Sequence, residues 1–365
     1  SLEDNMAYTT IDDPSVYFQT ALYTGTGSGL SVTNSGNSDL KPDWVWVKDR
    51  SNSNDHKITD SSRLNSSSQP TITLESNTTA AEYDDSGEGS DATTSFNTDG
   101  FTIGTNGNYN TDGNTYVAWQ WKANGGTASG SFNESGNNPG VSFQANTTAG
   151  FSICTYTGTG GNGSFAHGLG VIPAMFIIKR RNGTEDWAVY HQNNTSAPET
   201  DHLLLNTSDA TSDSNTRFQD TAPTSSSIYI GTNAVVNADA STYVCYAFAE
   251  VQGYSRFGDY IGNGSTSGPF VYTGFKPAWV MVKRTDSGNN WHMHDNKRVT
   301  SNPNNITQYA NLANADASED LDMLSNGFRL KESGGGYNAN NGTYVYMAFA
   351  ESPFVSSEGV PTTAV

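Results

Sequence analysis

One pattern occurs three times along this chain, and nothing else in the sequence restricts the fold as tightly. Pro42-Asp43-Trp44-Val45-Trp46-Val47-Lys48 recurs as Pro173-Ala174-Met175-Phe176-Ile177-Ile178-Lys179 and as Pro277-Ala278-Trp279-Val280-Met281-Val282-Lys283, with proline and lysine six residues apart each time. A near-continuous apolar run of this length reads as a strand buried on both faces, and proline suits its first position, where no ladder hydrogen bond is needed yet. Glycine turns precede each run, at Gly25/Gly27, Gly158/Gly160 and Gly262/Gly264. Eight residues past each lysine stands a large ring: His56, Trp187 and Trp291. Each copy closes with a second strong strand, 115–121, 242–248 or 343–349, in which residues of opposite parity face opposite ways.

The pattern divides the chain into an N-terminal arm (1–16), a first repeat (17–123), a linker or long surface crossing (124–150), a second repeat (151–250), a third repeat (251–351) and a C-terminal arm (352–365). Each repeat has about 100 residues, enough for a two-sheet sandwich. Only Val251-Gln252-Gly253 separates repeats two and three, so those two are expected to pack with a fixed geometry. In the middle of each repeat a strand followed by an exposed loop is expected, with a short helix over 309–324 as the alternative.

Composition agrees with an all-β chain. Glycine numbers 37 and proline 12, while the 7 Trp, 18 Tyr and 16 Phe exclude a disordered polymer. Lys and Arg number 18 against 37 Asp and Glu, a net charge of −19, which argues against nucleic acid and against an anionic membrane surface. Cys154 and Cys245 are too few for a disulfide framework. They fall in the first and last strands of the second repeat, where either a bond or two free buried thiols fits.

Several motifs of the second and third repeats occur together: Gly150-Phe151-Ser152-Ile153 with Thr155-Tyr156-Thr157-Gly158, His167-Gly168-Leu169-Gly170, Trp187-Ala188-Val189-Tyr190-His191, and Gly268-Pro269-Phe270-Val271-Tyr272-Thr273-Gly274-Phe275-Lys276-Pro277 with Asn326-Gly327-Phe328. In these the chain resembles a module of tail-fibre and other virion proteins of marine bacteriophages. The resemblance covers residues 150–360 well. The first repeat diverges, with longer loops and His56 in place of the family's usual Trp. It implies a concanavalin-like or jelly-roll sandwich and a place in the virion, more than it implies an activity.

The chemistry-bearing motifs read mostly as structure. Gly158-Thr159-Gly160-Gly161-Asn162-Gly163 spells a dinucleotide fingerprint, but breakers at Gly168, Gly170 and Pro173 leave no room for the helix it needs. The calcium-loop likeness at Asn108–Gly113 places Trp119 where the bidentate glutamate belongs. Asp84, Asp85 and Glu88 read as a solvated acidic loop before they read as a looser calcium site. His292 and His294, two apart on one strand face with His191 in the matching segment, carry a weaker zinc alternative. No metal or other cofactor is expected. Asp60 and Asp295, each followed three residues later by arginine (Arg63, Arg298), read as structural bridges closing a turn; His191 and Asn194 hold those places in the second repeat. Lys48, Lys179 and Lys283 mark where a strand leaves the core, with an acidic-sugar contact as the alternative. Aromatic display is the best binding signal. Trp187, Tyr190, His191, Trp291, His292 and His294 form the candidate ligand set, either stacking on sugars at the surface or filling the core and the contacts between repeats.

The expectation is a non-enzymatic virion component made of three tandem antiparallel β-sandwiches. A tail fibre or appendage comes first, contacting other virion proteins, further copies of itself (as a trimer, for example) and host surface glycans. A capsid or tail decoration protein without glycan binding is the alternative, and a polysaccharide-degrading enzyme the remote one.

Overall fold

Each repeat lays down the same four strands in the same lateral order. In the computed structural model, which describes residues 7–87 and 90–362, an opening strand (Phe18–Thr24, Phe151–Thr157, Ser255–Ile261) pairs with the closing strand (Thr115–Trp121, Thr242–Phe248, Thr343–Pro353). The closing strand pairs with the lysine strand (Trp44–Asp49, Met175–Arg180, Phe275–Arg284), and that with a ring strand (Lys57–Asp60, Trp187–His191, Trp291–Asp295). All pairings are antiparallel, and the registers correspond: Phe18, Phe151 and Ser255 stand opposite Trp121, Phe248 and Phe349. The chain is all-β, with several sheets.

Alternation explains how these sheets meet. One face of each carries Trp44, Trp46, Trp119 and Trp121; Ile153, Met175, Ile177, Tyr246 and Phe248; or Trp279, Met281, Met347 and Phe349, and all of these belong to one continuous core. Ring centroids across it lie 4.7 Å apart for Trp44 and Tyr246, 5.7 Å for Trp121 and Trp279, and 6.1 Å for Phe248 and Phe349. The opposite faces serve three separate cores: Val45, Val47 and Ala118 with Phe101 and Ile103; Phe176, Ile178 and Cys245 with Phe165, Ile228 and Ile230; and Val280, Val282 and Tyr346 with Val271, Phe328 and Leu330. Both faces of the main sheets are thus buried, which is why these strands are apolar without interruption.

A buried asparagine locks the glycine turn in every repeat. Asn110, Asn237 and Asn338 accept from the backbone N–H of Thr26, Thr159 and Asn263 at 2.7, 2.8 and 2.9 Å, and their amides donate back to turn carbonyls, including those of Ser28, Gly161 and Ser265. A Cβ at Gly25, Gly158 or Gly262 would lie 2.1–2.3 Å from a carbonyl oxygen of the residue after that asparagine, so only glycine fits. The Asn108–Gly113 loop therefore serves as a turn clamp.

The linker expectation changes, the helix alternative falls, and the arms are tied to the body of the molecule. Residues 124–150, expected as a linker or surface crossing, contribute strands Gly130–Phe132 and Val141–Asn146 to the second sheet, because Val141 and Phe143 alternate onto its outer core. The segment over 309–324 is no helix; strands Asn304–Tyr309 and Ala317–Leu324 occupy it. The arms are anchored where described: Tyr8 and Thr9 bond to Gly274 and Gln252, and Ile11 enters the shared core. Residues 1–6 and 363–365 of the arms, and Glu88 of the acidic loop, lie outside the described residues.

Candidate functional site

The six residues expected to display rings or imidazoles are all interior. Trp187, Tyr190, His191, Trp291, His292 and His294 are at most 4% exposed, so none offers a face to a sugar. The correction has a physical basis: the ring strands are covered on both sides, so polar neighbours in sequence did not mean solvent.

What these rings do instead is join the repeats. Trp187 Nε1 of the second repeat donates to the Glu75 carbonyl of the first at 3.0 Å, and Trp291 Nε1 of the third donates to Leu204 of the second at 2.9 Å. His56 Nε2 of the first meets the Tyr309 carbonyl of the third at 3.0 Å. Its Nδ1 accepts from Trp46 Nε1 at 2.9 Å, which fixes Nε2 as the N–H and the ring as neutral. Burial accordingly pushes the His56 pKa well down. The larger Trp46, where the other repeats carry Ile177 and Met281, fills the space a smaller ring leaves. The bonds run 1→3, 2→1 and 3→2, a closed circuit.

Two of the three lysines follow the same circuit, and Lys48 bonds within its own repeat. Lys179 Nζ donates to Thr79 and Glu185 carbonyls at 3.1 and 2.8 Å, Lys283 to Ser208 and Asn289 at 3.1 and 2.7 Å, and Lys48 to Asp49 and Asn52 at 2.5 and 3.2 Å. Burial pushes each ammonium down to about 8. Committed to interior carbonyls, they present no cation to an acidic sugar.

The Asp–Arg pairs are buried bridges. Arg63 Nε lies 2.6 Å from Asp60 and Arg298 Nε 2.5 Å from Asp295, all four side chains at 0% exposure. Each carboxylate also accepts from a neighbouring repeat: Asp60 from the Tyr246 hydroxyl at 2.6 Å, Asp295 from Trp119 Nε1 at 3.1 Å. The third repeat carries Met347 at the address of Trp119 and Tyr246, without a donor. The residue facing that repeat is His191, whose Nε2–H donates to the Tyr346 carbonyl at 3.0 Å while Nδ1 accepts from the Asn193 N–H. The exception in the second repeat is thus matched by an exception in its neighbour.

His292 and His294 belong to the third outer core. His292 Nδ1 lies 2.5 Å from Glu319, which also accepts from the Tyr309 hydroxyl at 3.1 Å; His294 Nδ1 lies 3.3 Å from Asn304. His191 is bonded elsewhere, so the three imidazoles do not converge. Among the described residues no group of three His, Cys, Asp or Glu is placed to hold a metal. Asp84 accepts from Thr71 and Ser86, and Asp85 from Asn106. Cys154 and Cys245 stand opposite each other in register as free buried thiols; burial raises Cys154 to about 12 and leaves it unreactive.

Two of the surface clefts that border the third repeat have linings suited to a ligand. One of about 590 Å³ has Lys276, Lys297, Asn302, Asn326 and Glu351 around an apolar floor that includes Met323. Lys276 pairs with Glu351 at 2.8 Å. Its amides and ammonium groups suit a ligand rich in hydroxyls or bearing an acid. The other, about 460 Å³, runs beside strand Ser255–Ile261 and is walled by Phe270, Tyr272 and Tyr346. Phe270 and Tyr272 are 47% and 52% exposed, the ring display that the sequence reading sought in Trp187 and Trp291. The signal was the alternation Phe270-Val271-Tyr272, in which only Val271 turns inward.

A family model described as a domain of unknown function (DUF7483) matches residues 13–353 in one span, across all three repeats. No curated protein matches the chain.

Proposed function

The chain belongs to the DUF7483 family of unknown function, matched from residue 13 to residue 353, and on that premise we propose that it is a non-enzymatic structural component of a bacteriophage virion, a tail fibre or comparable appendage. We read the three repeats as antiparallel β-sandwiches of concanavalin-like or jelly-roll type, joined in tandem and closed into a ring about the shared core. The reading places the chain at the particle surface, with other virion proteins and further copies of itself as partners.

The observation that carries this reading is the use made of the recurring reactive groups. Lysine, imidazole and carboxylate at equivalent addresses are buried and bonded, and all but Lys48 are bonded across repeats. A capsid or tail decoration protein would use the same construction without a ligand. The 590 Å³ cleft supports the version that contacts host glycans, through Lys297, Asn302 and Asn326. Glycoside hydrolysis needs two carboxyl groups across the sugar, and Glu351 is the one acid among that cleft's lining residues.

Mass spectrometry of purified particles of the phage encoding this chain tests the reading; a fixed copy number is expected, and absence from particles defeats it. On a glycan array, binding lost in Lys297→Ala and Asn326→Ala selects the appendage over the decoration protein. Release of oligosaccharide from host envelope by the purified chain would replace both with an enzyme.

A further inference from the structure

We propose that the open edge of the third sheet, strand Ser255–Ile261, is a docking site for an extended polypeptide segment of a partner, which adds to the sheet as an antiparallel strand. The proposal goes beyond the virion reading and does not rest on it.

The chain displays one edge in three conditions. In the second repeat the opening strand is covered by Val141–Asn146, with Ser142 opposite Thr155 and Gln144 opposite Ile153. That strand lays the Phe143 ring over the bare backbone of Gly168, where a Cβ would lie 2.3 Å from the ring. In the first repeat a loop covers the start of the edge: Gln19 donates to the Ser15 and Ser38 carbonyls and accepts from the Gly36 N–H. In the third repeat Ser255–Ile261 is the terminal strand of its sheet.

Register with the closing strand makes Phe257 and Asp259 the counterparts of Ile153 and Thr155. At Phe257 side chains stand in for a missing neighbour: Gln192 Nε2 donates to its carbonyl at 2.9 Å, and its N–H points to Glu250 at 3.4 Å. The outward-facing backbone alternates along an antiparallel edge, so Asp259 turns its N–H and C=O the same way, with no strand beside them among the described residues. The 460 Å³ groove lies along this edge, with Phe270, Tyr272 and Tyr346 as its apolar wall.

The class of occupant is read from the second repeat, where the chain itself supplies it: a strand alternating Val141, Phe143 and Ala145 toward the core. Gly274 follows its outer strand by two residues, as Gly168 does, and it too lies under an aromatic side chain. The Tyr8 hydroxyl of the N-terminal arm donates to the Gly274 carbonyl at 2.7 Å and sits 3.3 Å from the Tyr272 hydroxyl. The described arm thus lies against Tyr272, one of the rings that wall the groove. Lone exposed aromatics also suit sugars, but an unpaired ladder edge recognises backbone, and that favours polypeptide.

The probe is a labelled synthetic peptide of residues 139–147, Pro139 to Thr147, titrated by fluorescence anisotropy into the full chain. Saturable binding is expected, weakened about tenfold when the peptide carries Phe143→Ala. Hydrogen exchange should show the Asp259 amide protected by the peptide. Asp259→Pro removes the outward N–H, a change an edge tolerates, and should abolish binding. Tyr272→Ser, which leaves the backbone alone, should weaken it about tenfold, so the test survives if Asp259→Pro fails to fold. No saturable binding, equal binding of a scrambled peptide, or Tyr272-dependent binding of an oligosaccharide without any peptide binding would overturn the proposal.

Discussion

The shared core and the three private cores are built from the same strands, yet they differ in what they contain. The shared core is aromatic, and its polar groups form matched sets across repeats: His56 with the Tyr309 carbonyl, Asp60 with Tyr246, Asp295 with Trp119, His191 with the Met347 repeat. The private cores share a stacked tyrosine pair (Tyr23 with Tyr116, Tyr156 with Tyr243, Tyr260 with Tyr344) but diverge beside the ring strand. At the address after each ring, Lys57 binds Glu75 and the Tyr83 hydroxyl, His292 binds Glu319, and Ala188 packs among apolar neighbours and two thiols. A position seen by two repeats can change only when its partner changes. The positions Lys57, Ala188 and His292, each seen by one repeat, differ from copy to copy.

The largest test of this contrast is Trp44→Ala, which empties a site where Trp121 of the first repeat and Tyr246 of the second meet. It should cost about 4 kcal/mol and shift one calorimetric transition for the whole chain. Three separate transitions would break the comparison. Next, Asp60→Ala leaves Arg63 buried, with Glu82 at 3.2 Å as its remaining carboxylate, and should cost about 3 kcal/mol in urea unfolding. Lys57→Met in the private core should cost visibly less.

Acid provides the third test. Burial holds His191 neutral and pushes it down to about 4 from an ordinary 6.5. With the folded value depressed, its contribution is fully present above pH 6.5 and is lost as pH falls toward 4, because the unfolded chain takes up the proton first. Chemical unfolding at pH 7 and pH 5 should show a loss of about 2 kcal/mol from this ring, and His191→Gln should shrink the difference. The smallest effect is expected from Trp187→Phe, which removes one donor to Glu75 at about 1 kcal/mol. His56→Phe should exceed it in the same assay, because it strips partners from both Trp46 and Tyr309.

The strands were legible because burial on both faces leaves a continuous apolar word, and three copies of it exclude chance. The Asp–Arg pairs were legible as structure because they recur where a turn closes. The circuit of contacts was not legible: its acceptors are the backbone carbonyls of Glu75, Leu204 and Tyr309, which any side chain supplies. Ring exposure failed for a related reason. Trp187-Ala188-Val189-Tyr190 has two buried faces, so alternation marks no solvent side. The strands inside 124–150 were hidden because glycine and asparagine outnumber the two apolar residues, Val141 and Phe143, that hold them.

The junction that closes the circuit has a consequence for synthesis. Arg50 meets Asp316 at 2.8 Å, 266 residues later in the chain, and Phe18 stacks on Phe349. A ribosome makes the N-terminal third first, so the indoles of Trp44, Trp46, Trp119 and Trp121 emerge long before their last neighbours are translated. Until then the nascent polypeptide must keep a broad aromatic surface from sticking elsewhere, and acquiring the final shape waits on the most distant pairing in the molecule.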